Sequence, residues 1–99
     1  MEHILQEIRE ERSRQNEKWG EQNHNLVEWM AILTEEHGEV GKEAVELHFG
    51  AQQFNPSLEE NKEAFKERLE AYRTELIQVA AVAVSMIESV ERNEFKWVN

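Results

Sequence analysis

Apolar positions along the first eighteen residues are few. Ile4, Leu5 and Ile8 recur at helical spacing and predict an amphipathic helix from about Glu2 to Lys18. Glu10 and Arg14 stand four apart as a supporting pair, and Gly20 is a natural C-terminal stop. A polar connection follows up to Asn25. Asn25 is a good N-cap, and Glu28 falls in the capping-box position for a second helix. That helix is expected to run to about Phe49 and stop at Gly50. The stretch 50–57 reads as a loop and holds the single proline, Pro56. Ser57 and Glu60 form a second capping box, and from Leu58 to Asn93 there is neither glycine nor proline. A continuous helix of that length measures about 50 Å, whereas a compact chain of this size has a radius of gyration of only ~13 Å.

From Leu76 to Ile87 the apolar positions cover nearly the whole helical circumference, interrupted by Gln78 and Ser85. A helix apolar all round is buried all round, which three short stretches cannot achieve alone. The expected fold is therefore all-α: one domain over residues 1–99, a bundle of three main helical stretches completed by dimerisation.

Composition sharpens this picture. The chain has 99 residues and no cysteine, so it holds no disulfide and no thiolate chemistry. It carries 11 basic and 21 acidic residues, net −10, and every acid is glutamate. That balance argues against nucleic acid and against an anionic membrane surface as partners. The start of the chain lacks the apolar core of a signal peptide. The twelve residues Leu76–Ile87 are fewer than the ~20 a bilayer span needs. A cytoplasmic, soluble protein is expected.

On a helical wheel, Trp29, Leu33, Val40 and Leu47 mark the inner face of the second helix, with Ile32 nearby. Glu36 and Glu43 fall in the same arc, Glu39 at its edge and Glu35 beside it. In a glutamate-rich chain the ordinary reading is solvated surface acids. Apolar neighbours point Glu36 and Glu43 inward instead, and inward carboxylates on a bundle suit a divalent cation. In the third helix, Glu75 shares a face with Tyr72, Val79, Val82 and Met86, and Gln78 follows three residues on. Gln78 reads either as a member of the same site or as a buried amide tying two helices.

At these residues the chain resembles the MazG-like, all-α nucleoside triphosphate pyrophosphohydrolases, in particular their short, phage-type members. The family signature is EExxE on one helix and ExxD on the next. Glu35-Glu36-His37-Gly38-Glu39 matches the first, and Glu75-Leu76-Ile77-Gln78 stands in the place of the second. The leader Glu11–Asn23, with Glu17-Lys18-Trp19-Gly20-Glu21-Gln22, and the run Gln78–Ile87 extend the likeness over nearly the whole chain.

The resemblance implies Mg²⁺, or Mn²⁺ in its place, held by Glu36, Glu39 and Glu75. Glu35 would orient water or ligate from outside, so Glu35 and Glu39 are the expected catalytic acids. The reaction it implies is attack of water on the α-phosphorus of a nucleotide, releasing the monophosphate and pyrophosphate. Gln78 departs from the family aspartate. Three outcomes stay open: weak activity, compensation by Glu43 one turn beyond Glu39, or an inactive helical dimer that binds a nucleotide or a protein.

Trp19 is a candidate base-stacking platform or a core anchor of the first helix, and the same pair of readings applies to Trp97, near Lys96. Lys18, Lys42 and Arg73 are candidate phosphate contacts. His37 and His48 read as surface or interface residues. Glu21 and His24 stand three apart, but in a stretch unsuited to helix. Thr34, Gly38 and Gly41 lie opposite the carboxylates, and small residues there suggest a second helix packing closely. A homo-oligomer, dimer or tetramer, is expected.

Overall fold

The computed structural model describes residues 1–53 and 59–93, with the side chains of 1–50 and 62–93. Three helices make up the described chain: α1 (Glu2–Trp19), α2 (Leu26–Gln53) and α3 (Glu59–Arg92), with no strand among the described residues. The fold is all-α, as the periodicity indicated. No described helix is long and apolar enough to cross a membrane. The predicted Ser57–Glu60 capping box, the Pro56 loop, Lys96 and Trp97 lie outside the described residues.

The local signals explain most of the boundaries. Gly20 ends α1 with φ +73° and donates its N–H to the Asn16 carbonyl at 2.8 Å, a backbone conformation that glycine adopts without steric cost. Asn25 and Glu28 form the expected capping box. The Glu28 N–H donates to Asn25 Oδ1 at 2.8 Å and the Asn25 N–H to Glu28 Oε1 at 3.0 Å. Two expectations are corrected. The second helix does not stop at Gly50 but runs on to Gln53; a mid-helix glycine costs only about 1 kcal/mol, and the alanine and glutamines that follow are able helix formers. Arg14 pairs not with Glu10 but with Glu11, Nε to Oε1 at 3.1 Å, because the i, i+3 partner is the half-buried one.

α3 is the spine. It runs unbroken for 34 residues, about 50 Å at 1.5 Å per residue, and sets the 59 Å long axis of a molecule only 26 and 23 Å across. α1 and α2 each pack along α3, while their backbones do not pack on each other. The fully buried apolar core is small: Trp29 at 2%, Ala81 at 0% and Val82 at 6% exposed. It continues into a polar seam. The Trp29 Nε1–H donates to Ser89 Oγ at 3.2 Å, Ser85 Oγ donates to the Ala81 carbonyl at 3.1 Å, and Asn93 Nδ2 donates to Asn23 Oδ1 at 2.8 Å. α1 has no buried residue. It is held by Arg12 to Glu88 and by a two-pronged Arg73–Glu7 pair, and its Leu5 and Ile8 line an open groove with Val84 of α3. Part-exposed ion pairs add little stability, so α1 is the least firmly anchored helix. The connection 20–25 is fastened at the far end by Arg92, which donates to the Gln22 carbonyl at 3.0 Å and to Asn23 Oδ1 at 3.1 Å.

Within one chain the run Leu76–Ile87 is buried on one side only: Ala81, Val82 and Ser85 face inward, while Ile87 is 59% and Leu76 42% exposed. The all-round burial expected from its composition is not reached by this chain alone.

Candidate functional site

Since α1 and α2 flank α3 without meeting, a cleft opens between them with α3 as its floor. Its volume is about 340 Å³. The floor is Gln78, Val82 and Ser85. α1 contributes Glu11, Gln15 and Trp19, and α2 contributes Trp29, Ile32, Glu35 and Glu36. Gln22, from the connection, closes one end. No lysine or arginine among the described residues lines it.

Of the acids predicted to converge, Glu35 and Glu36 line the cleft, while Glu39, Glu43 and Glu75 lie outside its lining. Burial pushes the Glu36 carboxyl above its ordinary value, and repulsion from Glu75, Glu35, Glu39 and Glu11 adds to the effect. Glu75 is pushed up as well, first by burial and then by the charges of Glu39 and Glu43. The Glu75 Oε2 atom is buried and has no hydrogen-bond partner. Two helices thus hold carboxylates that repel one another, with no compensating cation among the described residues. Oxygen donors of this kind suit a hard divalent ion, and the unpaired Glu75 oxygen is where such an ion would relieve the strain. Among the described residues, however, no three His, Asp or Glu side chains are gathered closely enough to hold one ion. The donors suit a divalent cation in type, but among the described residues they are not placed to share one.

Of the other predicted site residues, Gln78 lies in the cleft beside Glu35 and Glu36, and among the described residues its amide makes no hydrogen bond. It does not tie α3 to a neighbour. Trp19 is 57% exposed on the cleft rim, so it is not a core anchor. The Lys18 ammonium sits over its ring, 4.6 Å from the centroid. Lys42 is exposed and stands outside the cleft lining. Arg73 is not a free phosphate contact, since both terminal nitrogens are taken by Glu7, which raises its pKa. His37 and His48 are exposed, and His48 meets the edge of Phe49 at 5.0 Å. His24 lies in non-helical chain, edge-on to Trp29 at 4.9 Å, with a buried and unpartnered Nε2. A Cβ at Gly38 or Gly41 would meet nothing within 4 Å, so no helix of this chain packs on those small residues.

One acid in the cleft was not singled out by the sequence. Glu11 reaches it from α1, its side chain only 12% exposed. The available signal was its place at the head of the Trp19-containing leader, four positions before Gln15 on the same helical face.

No family model, curated protein or solved structure matches the chain.

Proposed function

We propose that the protein is a metal-dependent nucleotide pyrophosphohydrolase of the MazG-like kind, cytoplasmic and working as a homo-oligomer, dimer or tetramer. The observation that carries this reading is the pairing of Glu36 on α2 with Glu75 on α3. Both carboxyls are raised, first by burial and then by neighbouring glutamates, one oxygen of Glu75 is unpaired, and Glu36 lines a cleft with an exposed tryptophan at its rim. Glu36, Glu39 and Glu75 would hold Mg²⁺ or Mn²⁺, with Glu43 behind Glu75. The ion would supply neutralisation of phosphate charge and polarisation of the reacting phosphorus.

The chain's own residues have the following parts. Glu35, at the outer lip, orients the water that attacks the α-phosphorus, and Glu39 accepts its proton. Trp19 offers its exposed face to the base, with Lys18 beside it. Gln15 and Gln22 present amide donors and acceptors at the same end. Gln78 offers a neutral carbonyl where an anionic ligand would bind the ion more strongly, and Glu11 across the cleft is a second candidate, beside Glu43, for supplying the missing charge. The products are the nucleoside monophosphate and pyrophosphate.

A panel of nucleoside triphosphates with Mg²⁺ and with Mn²⁺, scoring pyrophosphate against orthophosphate, tests the reading. Pyrophosphate release that is lost in Glu36→Gln and Glu75→Gln is expected. No release from any nucleotide with either metal overturns the catalytic reading.

A second reading rests on the charge of the cleft. The exposed Trp19 with Glu35 and Glu36, and no described lysine or arginine in the lining, also suit a cationic side chain presented by a protein partner. An inactive module of that kind would bind an arginine- or lysine-rich peptide in the absence of metal, and Glu36→Gln would weaken it.

A further inference from the structure

Along α1, Glu11, Gln15 and Trp19 stand four residues apart on one face, and all three line the cleft. That wall runs acid, amide, aromatic over about 12 Å at 1.5 Å per residue. At the level of the amide a second cavity opens off the cleft, about 130 Å³ in volume. Gln15, Gln22 and Ser85 line both spaces. Beyond them the cavity is bounded by Arg12 and Asn16 of α1, by Glu88 and Arg92 of α3, and by Glu21 of the connection. Both guanidinium groups are occupied: Arg12 Nη2 meets Glu88 Oε1 at 2.6 Å, and Arg92 Nε meets Glu21 Oε1 at 3.0 Å. Two cations against two carboxylates leave the cavity without net charge, so it suits neither a phosphate nor a metal ion. What it offers is neutral. The half-buried side-chain amides of Gln15 and Gln22 have no hydrogen-bond partner among the described residues. Ser85 Oγ donates its proton to the Ala81 carbonyl at 3.1 Å, which leaves its lone pairs to accept. Arg92 fixes the Gln22 backbone by donating to its carbonyl at 3.0 Å.

We infer that this side cavity takes the sugar hydroxyls of the nucleotide, and that the substrate class is the ribonucleotides rather than their 2′-deoxy counterparts. The inference deepens the proposed function and rests on it. Glu11 stands near enough to Glu36 for its charge to be felt there, so the acidic end of the α1 wall faces the acids of α2. In a nucleotide the sugar joins the phosphate to the base. With the phosphates at the Glu11–Glu36 end and the base on Trp19, the sugar falls one helical turn from either, beside Gln15. A hydroxyl is donor and acceptor at once, and so is each glutamine amide, while Ser85 Oγ adds an acceptor. The 2′-hydroxyl is the group that tells ribose from deoxyribose. A cavity of this size admits hydroxyl groups in place of a few waters. A deoxyribose leaves the two amides facing water or each other, whereas a ribose pairs with them. The loss of one or two such hydrogen bonds in a part-buried site is on the order of tenfold in affinity.

The test measures pyrophosphate release, with Mg²⁺ and with Mn²⁺, from ribonucleoside triphosphates and from their 2′-deoxy counterparts, base for base. In each hydrolysed pair kcat/KM should be about tenfold higher for the ribose member. In Gln15→Leu, and separately in Gln22→Leu, that ratio should fall toward one; a merely structural loss would lower both members in proportion and leave the ratio as it was. Where a variant is inactive, titration calorimetry with the ribo- and deoxyribonucleoside monophosphate products reads the same ratio. Equal kcat/KM on the two sugars, a preference for deoxyribose, or a ratio unchanged in both glutamine variants overturns the sugar site while the pyrophosphohydrolase reading stands. No pyrophosphate from any nucleotide overturns that reading and the sugar site with it.

Discussion

Replacing Glu75 by glutamine separates a metal-site acid from an ordinary buried one, because it shifts stability in opposite directions with and without metal. The Glu75 carboxyl is raised by burial and by the charges of Glu39 and Glu43, and its Oε2 is buried without a partner. An acid whose pKa is higher folded than unfolded binds more protons in the folded state. Its stability contribution is therefore lost as pH rises from the ordinary carboxylate range through the folded value, and the full cost remains above that. Glu75→Gln removes the charge. Relief of two like-charge contacts is worth about 0.2–0.5 kcal/mol each. An unsatisfied buried oxygen costs ~1–3 kcal/mol, part of which the amide still bears. The net gain for the metal-free protein at pH 7–8 is about 1 kcal/mol, or roughly 4–8 °C in Tm for a domain of this size. Near pH 4, where the wild-type carboxyl is protonated, the gain should shrink toward zero. With Mg²⁺ or Mn²⁺ at about 100 times its Kd the wild type gains ~2.7 kcal/mol by mass action, and the variant gains far less, so the order of stability inverts. Thermal melts at fixed protein concentration, across pH and metal, check all three statements. A variant less stable than wild type without metal at pH 7–8, or one with an undiminished metal shift, refutes the reasoning.

Three further outcomes follow from the same geometry. Gln78→Asp adds an anionic ligand in a part-buried site; metal affinity and pyrophosphate release should rise about tenfold while the metal-free Tm falls by a few degrees, read by melts and a coupled pyrophosphate assay, and a Tm loss equal with and without metal would count against it. Glu11→Gln should lower metal affinity severalfold in the wild type and much less in Gln78→Asp, if Glu11 supplies the charge that Gln78 lacks; titration calorimetry on the four proteins of that cycle decides it. Gly38→Ala should stabilise the protein by about 1 kcal/mol, since its Cβ meets nothing within 4 Å, and leave the oligomeric state unchanged; destabilisation in a concentration-dependent melt would show a partner helix closing over α2.

Much of the fold was legible because its signals are local. The Asn25–Glu28 box and the Gly20 stop each depend on a few neighbouring residues, and both form as the sequence indicates. The misreadings were also local. Gly50 carries a preference that the surrounding helix formers outweigh, and Arg14 had two acids within reach of which tertiary burial selected Glu11. The length of α3 was legible from the absence of breakers. That α1 and α2 would straddle it without meeting was not, because each apolar stripe needs only some partner surface and does not specify which.

The same limit governs the site. A wheel places Glu36, Glu39 and Glu43 on one face of α2 and Glu75 on the matching face of α3; burial and neighbouring charge raise Glu36 and Glu75, yet among the described residues no three acids are gathered closely enough to hold one ion. The wheel says nothing of what closes over the groove. That part belongs to α1, whose thin stripe of Ile4, Leu5 and Ile8 gave it little weight as a structural element. Yet α1 brings Glu11, Gln15 and Trp19 to the cleft while burying no residue of its own. A wall held by two part-exposed arginine pairs, Arg12–Glu88 and Arg73–Glu7, is the element with least to lose on opening. Ligand that bridges Glu36 on α2 and Trp19 on α1 would add contacts where the protein has fewest. Binding energy at this cleft is thus coupled to the ordering of α1, and hydrogen exchange in α1 should slow on ligand binding more than exchange in the Trp29–Ser89 core.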